Sequence, residues 1–175
     1  LTILEGKKNR ILLRQKEAID ARWSYRSMLG GVLAQETDRA VETTAEMKPV
    51  TKVAPTAEEL TDLVFATKLV KHSKSNAIVL SKGGQLIASG VGQTSRVDAL
   101  KQAIEKARHF GFDLKGAVLA SDAFFPFDDC VTLAAEAGIT AIAQPGGSVR
   151  DADSIAAADR LGVAMVMTGV RHFKH

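Results

Sequence analysis

The chain has 175 residues, which is enough for one domain with a sizeable core, or one domain with an appendage, and short for two full domains. With 46% hydrophobic and 25% charged residues, its composition is typical of a globular protein and excludes disordered and fibrous classes. The net charge of +3 comes from Lys and Arg scattered among Asp and Glu. That pattern argues against a nucleic-acid partner and favours a small anionic ligand.

The single cysteine, Cys130, excludes an intrachain disulfide and a CxxC metal site, as is typical of proteins in a reducing compartment. The sequence contains no apolar run of 18 residues and no basic-then-apolar amino terminus, so we expect neither a membrane partner nor a signal peptide. We therefore predict a cytoplasmic protein. Because Leu1 leads directly into LTILEGKKNRILL, we also expect a fragment of a longer chain.

The first 55 residues differ in pattern from the rest. Short strands are predicted at residues 11–13 and 28–35, and a Gly-Gly pair in the second indicates a bulge or a close backbone approach. The stretch ETDRAVETTAEMKPVTKVAPT that follows is polar and contains Pro49 and Pro55. We therefore predict a connection there, without secondary structure.

From residue 56 onward, regular elements are predicted. Thr56 and Glu59 have capping-box spacing, which predicts a helix to about His72. Strands at 77–80 and 86–89 flank the turn SKGGQ and predict a hairpin. Further helices are predicted from a cap at Ser95 to Gly111, at 128–137 and at 150–161, and further strands at 117–120, 139–143 and 163–167. This alternation indicates parallel βαβ units beside an antiparallel hairpin, so the predicted fold class is α/β with a layered mixed sheet.

Two glycine-containing loops follow predicted strands, and ligands of such sheets bind at the carboxyl ends of strands. GVGQTSR (90–96) ends with Arg96 in the first turn of a helix, where free amides and the helix dipole favour an anion. QPGGSVRD (144–151) repeats this pattern, and Ser148 and Asp151 have the spacing of a helix cap. Each loop can equally be a plain connection, with Arg96 a solvated cation.

The stretch SDAFFPFDD (121–129) holds three of the seven phenylalanines. Pro126 keeps Phe125 out of helical geometry, so the rings are expected to point in different directions. At a strand's carboxyl end at least one ring should line a pocket for a planar heterocycle. The carboxylates of this stretch would accept hydrogen bonds from its amines: Asp122, Asp128 and Asp129. The alternative is a small aromatic core with an Asp that caps a helix.

The closing stretch TGVRHFKH (168–175) follows a predicted buried strand, so Arg171 emerges at the same sheet edge and can reach a phosphate. A frayed basic tail is the alternative. The sequence lacks motifs for zinc deamination, a P-loop or a nucleophile elbow, and its four histidines lack metal-ligand spacing. It therefore predicts places to bind, no metal, and no evident reactive constellation.

Four stretches together resemble a known family: KSNAIVLSKGGQLIASGVGQTSR (74–96), SDAFFPFDD (121–129), IAQPGGSVRD (142–151) and RHFKH (171–175). From about Ser27 to His175, in order and spacing, the chain is similar to the carboxyl-terminal half of the bifunctional purine biosynthesis enzymes, which couple AICAR transformylase to IMP cyclohydrolase. The resemblance implies a cytidine-deaminase-like fold without zinc. It also implies formyl transfer to AICAR from the co-substrate 10-formyltetrahydrofolate, a homodimer, and no nucleic-acid partner.

The resemblance implies site residues as well. AICAR would contact Asn76 in KSNAI, Arg96 in GQTSR, Phe124 in DAFFPF and Arg171 in RHFKH, with Asp129 nearby. The folate side would consist of Val97, Pro126, Ser148 and Val149. The remaining rings of the stretch, Phe125 and Phe127, would point toward the core.

Departures from the family pattern limit what this chain is expected to do. The family's lysine-histidine pair in a KHxNPCG-like motif is missing, and Lys71-His72, at the end of a predicted helix with no NPCG after it, is not assigned that role. We therefore expect no catalytic residue in this chain. The cyclohydrolase domain is missing too, and Asp128 stands where a basic residue is expected.

Residues 1–55 are therefore expected to be strands and a connecting segment from the preceding half of the transformylase domain, and residues 56–175 its carboxyl-terminal α/β subdomain. Together with the rest of the parent chain, this part would contribute AICAR and folate binding walls and would be inactive alone. The alternative is a free-standing nucleotide- or folate-binding regulatory module.

Overall fold

The computed structural model describes residues 6–7, 9–17 and 22–174. The strands within these residues are β1 (Trp23–Met28), β2 (Gly31–Glu36), β3 (Lys48–Pro49), β4 (Ile78–Lys82), β5 (Gln85–Gly90), β6 (Val118–Ser121), β7 (Ala141–Gln144) and β8 (Ala164–Met167). The helices are α1 (Ala57–Lys71), α2 (Arg96–His109), α3 (Asp129–Glu136) and α4 (Asp151–Leu161). The chain divides into two compact units, Leu1–Arg39 and Ala40–His175.

In the first unit, β1 and β2 form an antiparallel hairpin in which Trp23 pairs with Glu36 and Met28 with Gly31. The single strand predicted at residues 28–35 is wrong at its start, because a two-residue turn at Leu29 and Gly30 separates two strands. Leu29 has a φ of 43°, and positive φ is typical of such short hairpin turns. The side chains of both strands are exposed.

The strand predicted at residues 11–13 is also wrong. Ile11 and Leu13 are 86% and 94% exposed, and the three residues have no strand conformation. A strand requires a partner for its backbone N–H and C=O groups. Within the part of the chain that the structure describes, no strand pairs with this stretch.

The second unit contains a six-stranded sheet in the order β3-β8-β7-β6-β4-β5. β6, β7 and β8 are parallel, whereas β4 runs antiparallel to both β5 and β6, and β3 runs antiparallel to β8. The parallel strands are joined by α3 and α4, because a parallel connection must cross back over the sheet. The predicted α/β class with a layered mixed sheet is therefore confirmed.

Helices cover both faces of this sheet. Alternate residues of the central strands point to opposite sides: Leu119 packs in the core under α2, α3 and α4, whereas Val118 and Ala120 pack in the core under α1. This period of two is expected for a sheet that is buried on both faces. The sheet is therefore the middle layer of three, and its strand ends are the parts left open to form a site.

The predicted helix starts and the predicted hairpin are largely confirmed. Thr56 caps α1 in a complete capping box with Glu59, and Ser95 caps α2 by accepting from the backbone N–H of Asp98. The β4–β5 turn contains Gly83 and Gly84, both with positive φ. These elements agree with the prediction because their signals are local.

The connection predicted after Gln35 is partly wrong, since β3 lies within it and pairs with β8. Pro49 is tolerated there because β3 is an edge strand. Met47, just before it, is buried at 3% exposure and belongs to the core under α1. The compact second unit accordingly begins at Ala40. The assignment of residues 1–55 to a preceding half of a parent domain stays a prediction.

Candidate functional site

Several segments of the second unit meet at one edge of the six-stranded sheet. Gly90 at the end of β5 and Ser121 at the end of β6 both pair with Ile78 at the start of β4. The parallel register from β6 through β7 to β8 carries this edge on to Gln144 and Met167. The topology therefore brings both glycine loops, the phenylalanine stretch and the terminal segment to the same edge, as predicted.

The first glycine loop packs closely against α2. A Cβ on Gly90 would lie 1.8 Å from the backbone oxygen of Ala99 in that helix, so no larger residue fits there. Gly92 has a φ of 67°, a left-handed conformation that glycine adopts without strain. The glycines of this loop therefore serve the turn and the helix packing, in addition to any ligand.

Arg96 begins α2 and turns its guanidinium into the interior, where it pairs with Asp122. The two residues are only 6% and 0% exposed. Arg96 Nη1 donates to Asp122 Oδ1 and, over 2.9 Å, to Ser121 Oγ. The alternative of a solvated Arg96 is therefore wrong. Burial of this cation is possible because a buried carboxylate and further acceptors compensate for its lost hydration.

Asp122 is the centre of the buried network. Its Oδ2 accepts from Ser75 Oγ over 2.5 Å, and its Oδ1 accepts from the backbone N–H of Ala77 over 3.2 Å as well as from Arg96. The expectation that Asp122 accepts hydrogen bonds from a ligand is wrong, because the residue is fully buried and both oxygens bind protein groups. Its position directly after β6 is what aims it inward.

Asn76 lies half-buried beside this network. Its Oδ1 accepts from Arg96 Nη2 over 2.9 Å, and its Nδ2 donates to the backbone oxygen of Gln93 over 2.9 Å. The backbones of Asn76 and Gln93 also exchange hydrogen bonds of 3.1 and 3.3 Å. The structure thus holds the KSNAI stretch and the first glycine loop together, and it brings two predicted site residues, Asn76 and Arg96, into direct contact.

The three rings of the phenylalanine stretch have three different environments. Phe125 is fully buried in the core, as predicted, whereas Phe124 is half-buried at the sheet edge. The prediction that Phe127 points toward the core is wrong, since Phe127 is 50% exposed. The guanidinium carbon of Arg150 lies 5.1 Å from its ring centroid instead. The aromatic-core alternative therefore accounts for Phe125 alone.

Arg171 leaves the end of the sheet next to Phe124. It is exposed, and its guanidinium carbon lies 5.8 Å from the centroid of the Phe124 ring and 4.0 Å from that of Phe173. These distances are in the range of cation–π attraction. The structure therefore brings together a second pair of predicted site residues, Phe124 and Arg171. The last residue of the predicted RHFKH motif, His175, lies outside the described residues.

The residues predicted on the folate side lie in three places. Pro126 is exposed in the loop after β6, Val97 is half-buried in the first turn of α2, and Ser148 and Val149 lie in the loop after β7. Val149 is fully exposed. The described contacts do not join these residues to one another, so their grouping stays a prediction.

The predicted cap formed by Ser148 is wrong. Arg150 occupies the N-cap of α4 without a side-chain cap bond, and Ser148 Oγ accepts from the backbone N–H of Arg150 over 3.1 Å. Asp151 stabilises the loop instead, because its Oδ2 accepts from the N–H of Gly147 over 2.7 Å. α4 nevertheless begins at Asp151, within one residue of the start predicted at residue 150.

Asp129 and Cys130 begin α3 with opposite exposure. The exposed Asp129 accepts from the backbone N–H of Cys130 over 2.7 Å, while the Cys130 thiol is buried. Burial, and after it the negative charge of Asp129, raises the pKa of Cys130 to about 12. Since the thiolate is the reactive form, this thiol is not a candidate nucleophile.

Gln144 is a residue of the site that the sequence analysis did not identify. It is 1% exposed, its Oε1 accepts from the backbone N–H of Phe125 over 2.9 Å, and its Nε2 lies 3.3 Å from Met165 Sδ. It therefore positions the phenylalanine stretch. A polar residue that ends an otherwise apolar strand before a Pro-Gly-Gly turn was the available signal.

No group of three or more His, Cys, Asp or Glu side chains in the described ranges could hold a metal ion. Among the helices described, none is long and apolar enough to cross a membrane.

The chain resembles curated proteins along its whole length. It is 63% identical over 175 residues to the bifunctional purine biosynthesis protein PurH of Bacteroides thetaiotaomicron, covering 100% of this chain and 34% of that protein. The corresponding proteins of Chlorobaculum parvum and Aquifex aeolicus are 52% and 54% identical, covering 100% and 87% of this chain and 34% and 30% of theirs. The chain thus spans about a third of the length of these relatives.

Solved structures with a similar fold include deaminases. One is a diaminohydroxyphosphoribosylaminopyrimidine deaminase/5-amino-6-(5-phosphoribosylamino)uracil reductase from Thermotoga maritima, with a TM-score of 0.44 and 24% identity over 62% of this chain and 34% of that one. Another is the dCMP deaminase of cyanophage S-TIM5, with a TM-score of 0.43 and 19% identity over 57% of this chain and 88% of that one. At these scores the likeness carries no argument about the site.

Residues 1–106 match the family described as AICARFT/IMPCHase bienzyme. The match covers more than half of the chain, and the curated relatives carry the corresponding bifunctional name. The chain belongs to the AICARFT/IMPCHase bienzyme family.

Proposed function

We propose that this chain is the carboxyl-terminal part of the AICAR transformylase of a bifunctional purine biosynthesis enzyme. In this proposal residues 56–175 are the carboxyl-terminal subdomain, and residues 1–55 are strands and a connection from the preceding half of the domain. The family match and the names of the relatives support the pathway. Two pairs of contacts at the open sheet edge support the transformylase role.

The observation that carries the proposal is that Asn76 contacts Arg96, and Phe124 contacts Arg171, at the same edge of the sheet. Phe124 offers one face of an aromatic ring to a flat imidazole, and the exposed guanidinium of Arg171 suits a phosphate. Asn76 offers an amide for a carboxamide. Together with Asp129, which the family resemblance places at the same site, these residues would supply the groups that a ribonucleotide such as AICAR requires.

Arg96 would act in this site differently from Arg171. Its hydrogen bonds to protein groups involve Nη1 and Nη2, and a guanidinium has five N–H donors, so Nε–H can still donate to a ligand. Its bond to the Asn76 side chain also orients that amide. Arg96 therefore both contacts AICAR and holds Asn76 in this proposal.

The folate wall would consist of Val97, Pro126, Ser148 and Val149. Exposed apolar groups such as Pro126 and Val149 favour a flat, partly apolar co-substrate, here 10-formyltetrahydrofolate. Ser148 lies next to backbone amides of the Pro-Gly-Gly turn. The loop is anchored to α4 through Gly147 and Asp151, so it can present these groups in a defined place.

The proposed AICAR-binding and folate-binding residues are not sufficient for formyl transfer. The reaction depends on placing two substrates together and on proton transfer, and the residues described here include no evident base at the site. The rest of the parent chain would supply the base. The active form in this proposal is a cytoplasmic homodimer of the complete bifunctional protein.

Formyl transfer from 10-formyltetrahydrofolate to AICAR tests the proposal. The complete parent protein should catalyse this reaction, and its Asn76→Ala variant should have a raised KM for AICAR, since the variant loses one polar contact. The 175-residue chain should show no turnover with both substrates present. Turnover by the chain alone, or an Asn76→Ala variant with unchanged kcat/KM, would contradict the assignment.

A further inference from the structure

Glu42 and His172 form a buried pair outside the network around Arg96. Their exposures are 2% and 3%, and His172 Nε2 lies 2.7 Å from Glu42 Oε1. The residues are 130 positions apart in the sequence, so the contact ties the segment before β3 to the end of the chain. The other carboxylate oxygen, Glu42 Oε2, is buried and accepts no hydrogen bond from the described residues.

His172 lies between Arg171 and Phe173 in the sequence, and the side chains of these two neighbours contact each other. Arg171 is exposed and Phe173 half-buried, while His172 between them is buried. The guanidinium of Arg171 lies 4.0 Å from the centroid of the Phe173 ring, which shows that residues 171 and 173 face the same side. The buried side chain of His172 thus alternates with the exposed side chain of Arg171, whose guanidinium carbon lies 5.8 Å from the centroid of the Phe124 ring.

The rest of the segment is held by backbone contacts. The N–H of His172 donates to the backbone oxygen of Asp122 over 2.9 Å. Ser75 donates its N–H to the backbone oxygen of Lys174, and its Oγ accepts from the N–H of Lys174, both over 2.7 Å. These bonds hold the backbone at residues 172 and 174, and the contact with Glu42 adds a side-chain anchor at residue 172.

A buried Glu–His pair adds little net stability, because its desolvation cost offsets the attraction between the two groups. Two polar groups lose their hydration, and a well-packed apolar pair of similar volume would often serve as well. A terminal segment without regular secondary structure, however, frays unless specific contacts hold it. The pair is therefore better explained by orientation of the segment than by stability.

We propose that Glu42 and His172 are positioning residues for Arg171. The pair orients the terminal segment so that the Arg171 guanidinium lies over Phe124, where it receives the anionic group of the substrate. This inference rests on the proposed function, in which Arg171 contacts AICAR. Glu42 acts through another residue and does not itself contact the ligand.

A double-mutant cycle in the complete parent protein tests this inference. Glu42→Ala should weaken AICAR binding roughly tenfold, the scale of a lost hydrogen bond to a charged group, with the affinity for 10-formyltetrahydrofolate unchanged within about twofold. In an Arg171→Ala background, Glu42→Ala should cause no further loss, because the group that it positions is gone. Glu42→Gln, which keeps a hydrogen-bonding oxygen, should restore most of the affinity.

The outcomes separate this inference from the proposed function. If Arg171→Ala leaves AICAR affinity unchanged, both are overturned. If Arg171→Ala weakens binding but Glu42→Ala does not, or if their effects are additive, only the positioning role is overturned, since a merely structural pair would act independently of Arg171. Should Glu42→Ala fail to fold, His172→Gln takes its place in the same cycle, and additivity with Arg171→Ala again overturns the role.

Discussion

Two arginines at the same edge of the sheet have opposite environments. Arg96 is buried and hydrogen-bonded to Asp122, Ser121 and Asn76. Arg171 is exposed, and its guanidinium carbon lies 5.8 and 4.0 Å from the ring centroids of Phe124 and Phe173. The sequence predicts the same role for both arginines, binding an anionic group, because each follows the end of a strand. The structure shows that burial decides how much of each charge is left for a ligand.

The difference also determines what each arginine contributes to folding. A buried ion pair gains little over an apolar pair of the same volume, but losing one partner leaves an uncompensated charge in the interior. An exposed cation on an aromatic ring contributes about 0.5–1 kcal/mol at most. Arg96 is therefore tied to stability and site geometry together, whereas Arg171 can be removed with little effect on the fold.

The largest expected effect comes from removing the charge of Asp122. Asp122→Asn should lower the free energy of unfolding by about 3–5 kcal/mol, because it leaves the Arg96 guanidinium buried without its carboxylate. Urea denaturation of wild type and variant at pH 7 measures this loss.

Asp128→Asn is the matched control for Asp122→Asn. Asp128 lies in the same loop and makes no side-chain cap bond at the start of α3, so its variant should differ from wild type by less than about 0.5 kcal/mol. Equal effects of the two substitutions would show that the Arg96 pair does not stabilise the fold, and the contrast between the two arginines would fail.

Arg171→Ala should lower ligand affinity and leave stability nearly unchanged, in contrast to Asp122→Asn. In the complete parent protein it should weaken AICAR binding by about 2 kcal/mol, the scale of a hydrogen bond to a charged group, while changing the free energy of unfolding by no more than about 1 kcal/mol. Isothermal titration with AICAR and urea denaturation measure the two quantities. Arg96→Ala, by contrast, should reduce stability and affinity together.

Arg150→Ala is the control for Arg171→Ala. Arg150 is also exposed and lies over a phenylalanine ring, that of Phe127, so the variant removes a comparable cation–π contact elsewhere on the surface. AICAR affinity should not change. If Arg150→Ala weakens AICAR binding as strongly as Arg171→Ala does, the effect reflects net positive charge and not a specific contact.

The elements that sequence predicted well are those with local signals. Thr56 with Glu59 and Ser95 with Asp98 identified helix starts, and the Gly83-Gly84 turn identified the hairpin, because each feature needs only a few neighbouring residues. β3 was missed because its two residues are a strand only through pairing with β8, more than a hundred residues later. Ser148 was misassigned because its Oγ accepts from the N–H of Arg150, which is itself the N-cap residue of α4.

The same distinction between local signals and long-range contacts applies to the residues of the site. The loops could be placed at one edge because the carboxyl ends of parallel strands lie at the same edge of a sheet. The role of Asp122 could not be predicted, since it depends on Arg96 and Ser75 approaching from other segments. Neither could the pairing of Glu42 with His172, for which the sequence carries no spacing signal at all. Long-range contacts between polar side chains are what the sequence pattern leaves undetermined.

The pKa of the Cys130 thiol reports on the polarity of the interior near Arg96. Burial is the main reason that its pKa rises from 9.0 to about 12, while the charge of Arg96 acts in the opposite direction. Below pH 9 the thiol is protonated in both the folded and the unfolded chain, so the shift has no effect on stability. Above pH 9 the unfolded chain releases this proton and the folded chain retains it, so stability falls as the pH rises.

At pH 10 the loss from this single group should be about 1.4 kcal/mol, because the unfolded thiol is then one unit above its pKa. Comparing the free energy of unfolding of wild type and Cys130→Ala at pH 7 and pH 10 isolates it, since all other titrating groups are common to both proteins. The stability of the variant should fall less between the two pH values, by about 1.4 kcal/mol. Equal pH dependence would contradict the raised pKa of Cys130 and, with it, the low-polarity interior that distinguishes the environment of Arg96 from that of Arg171.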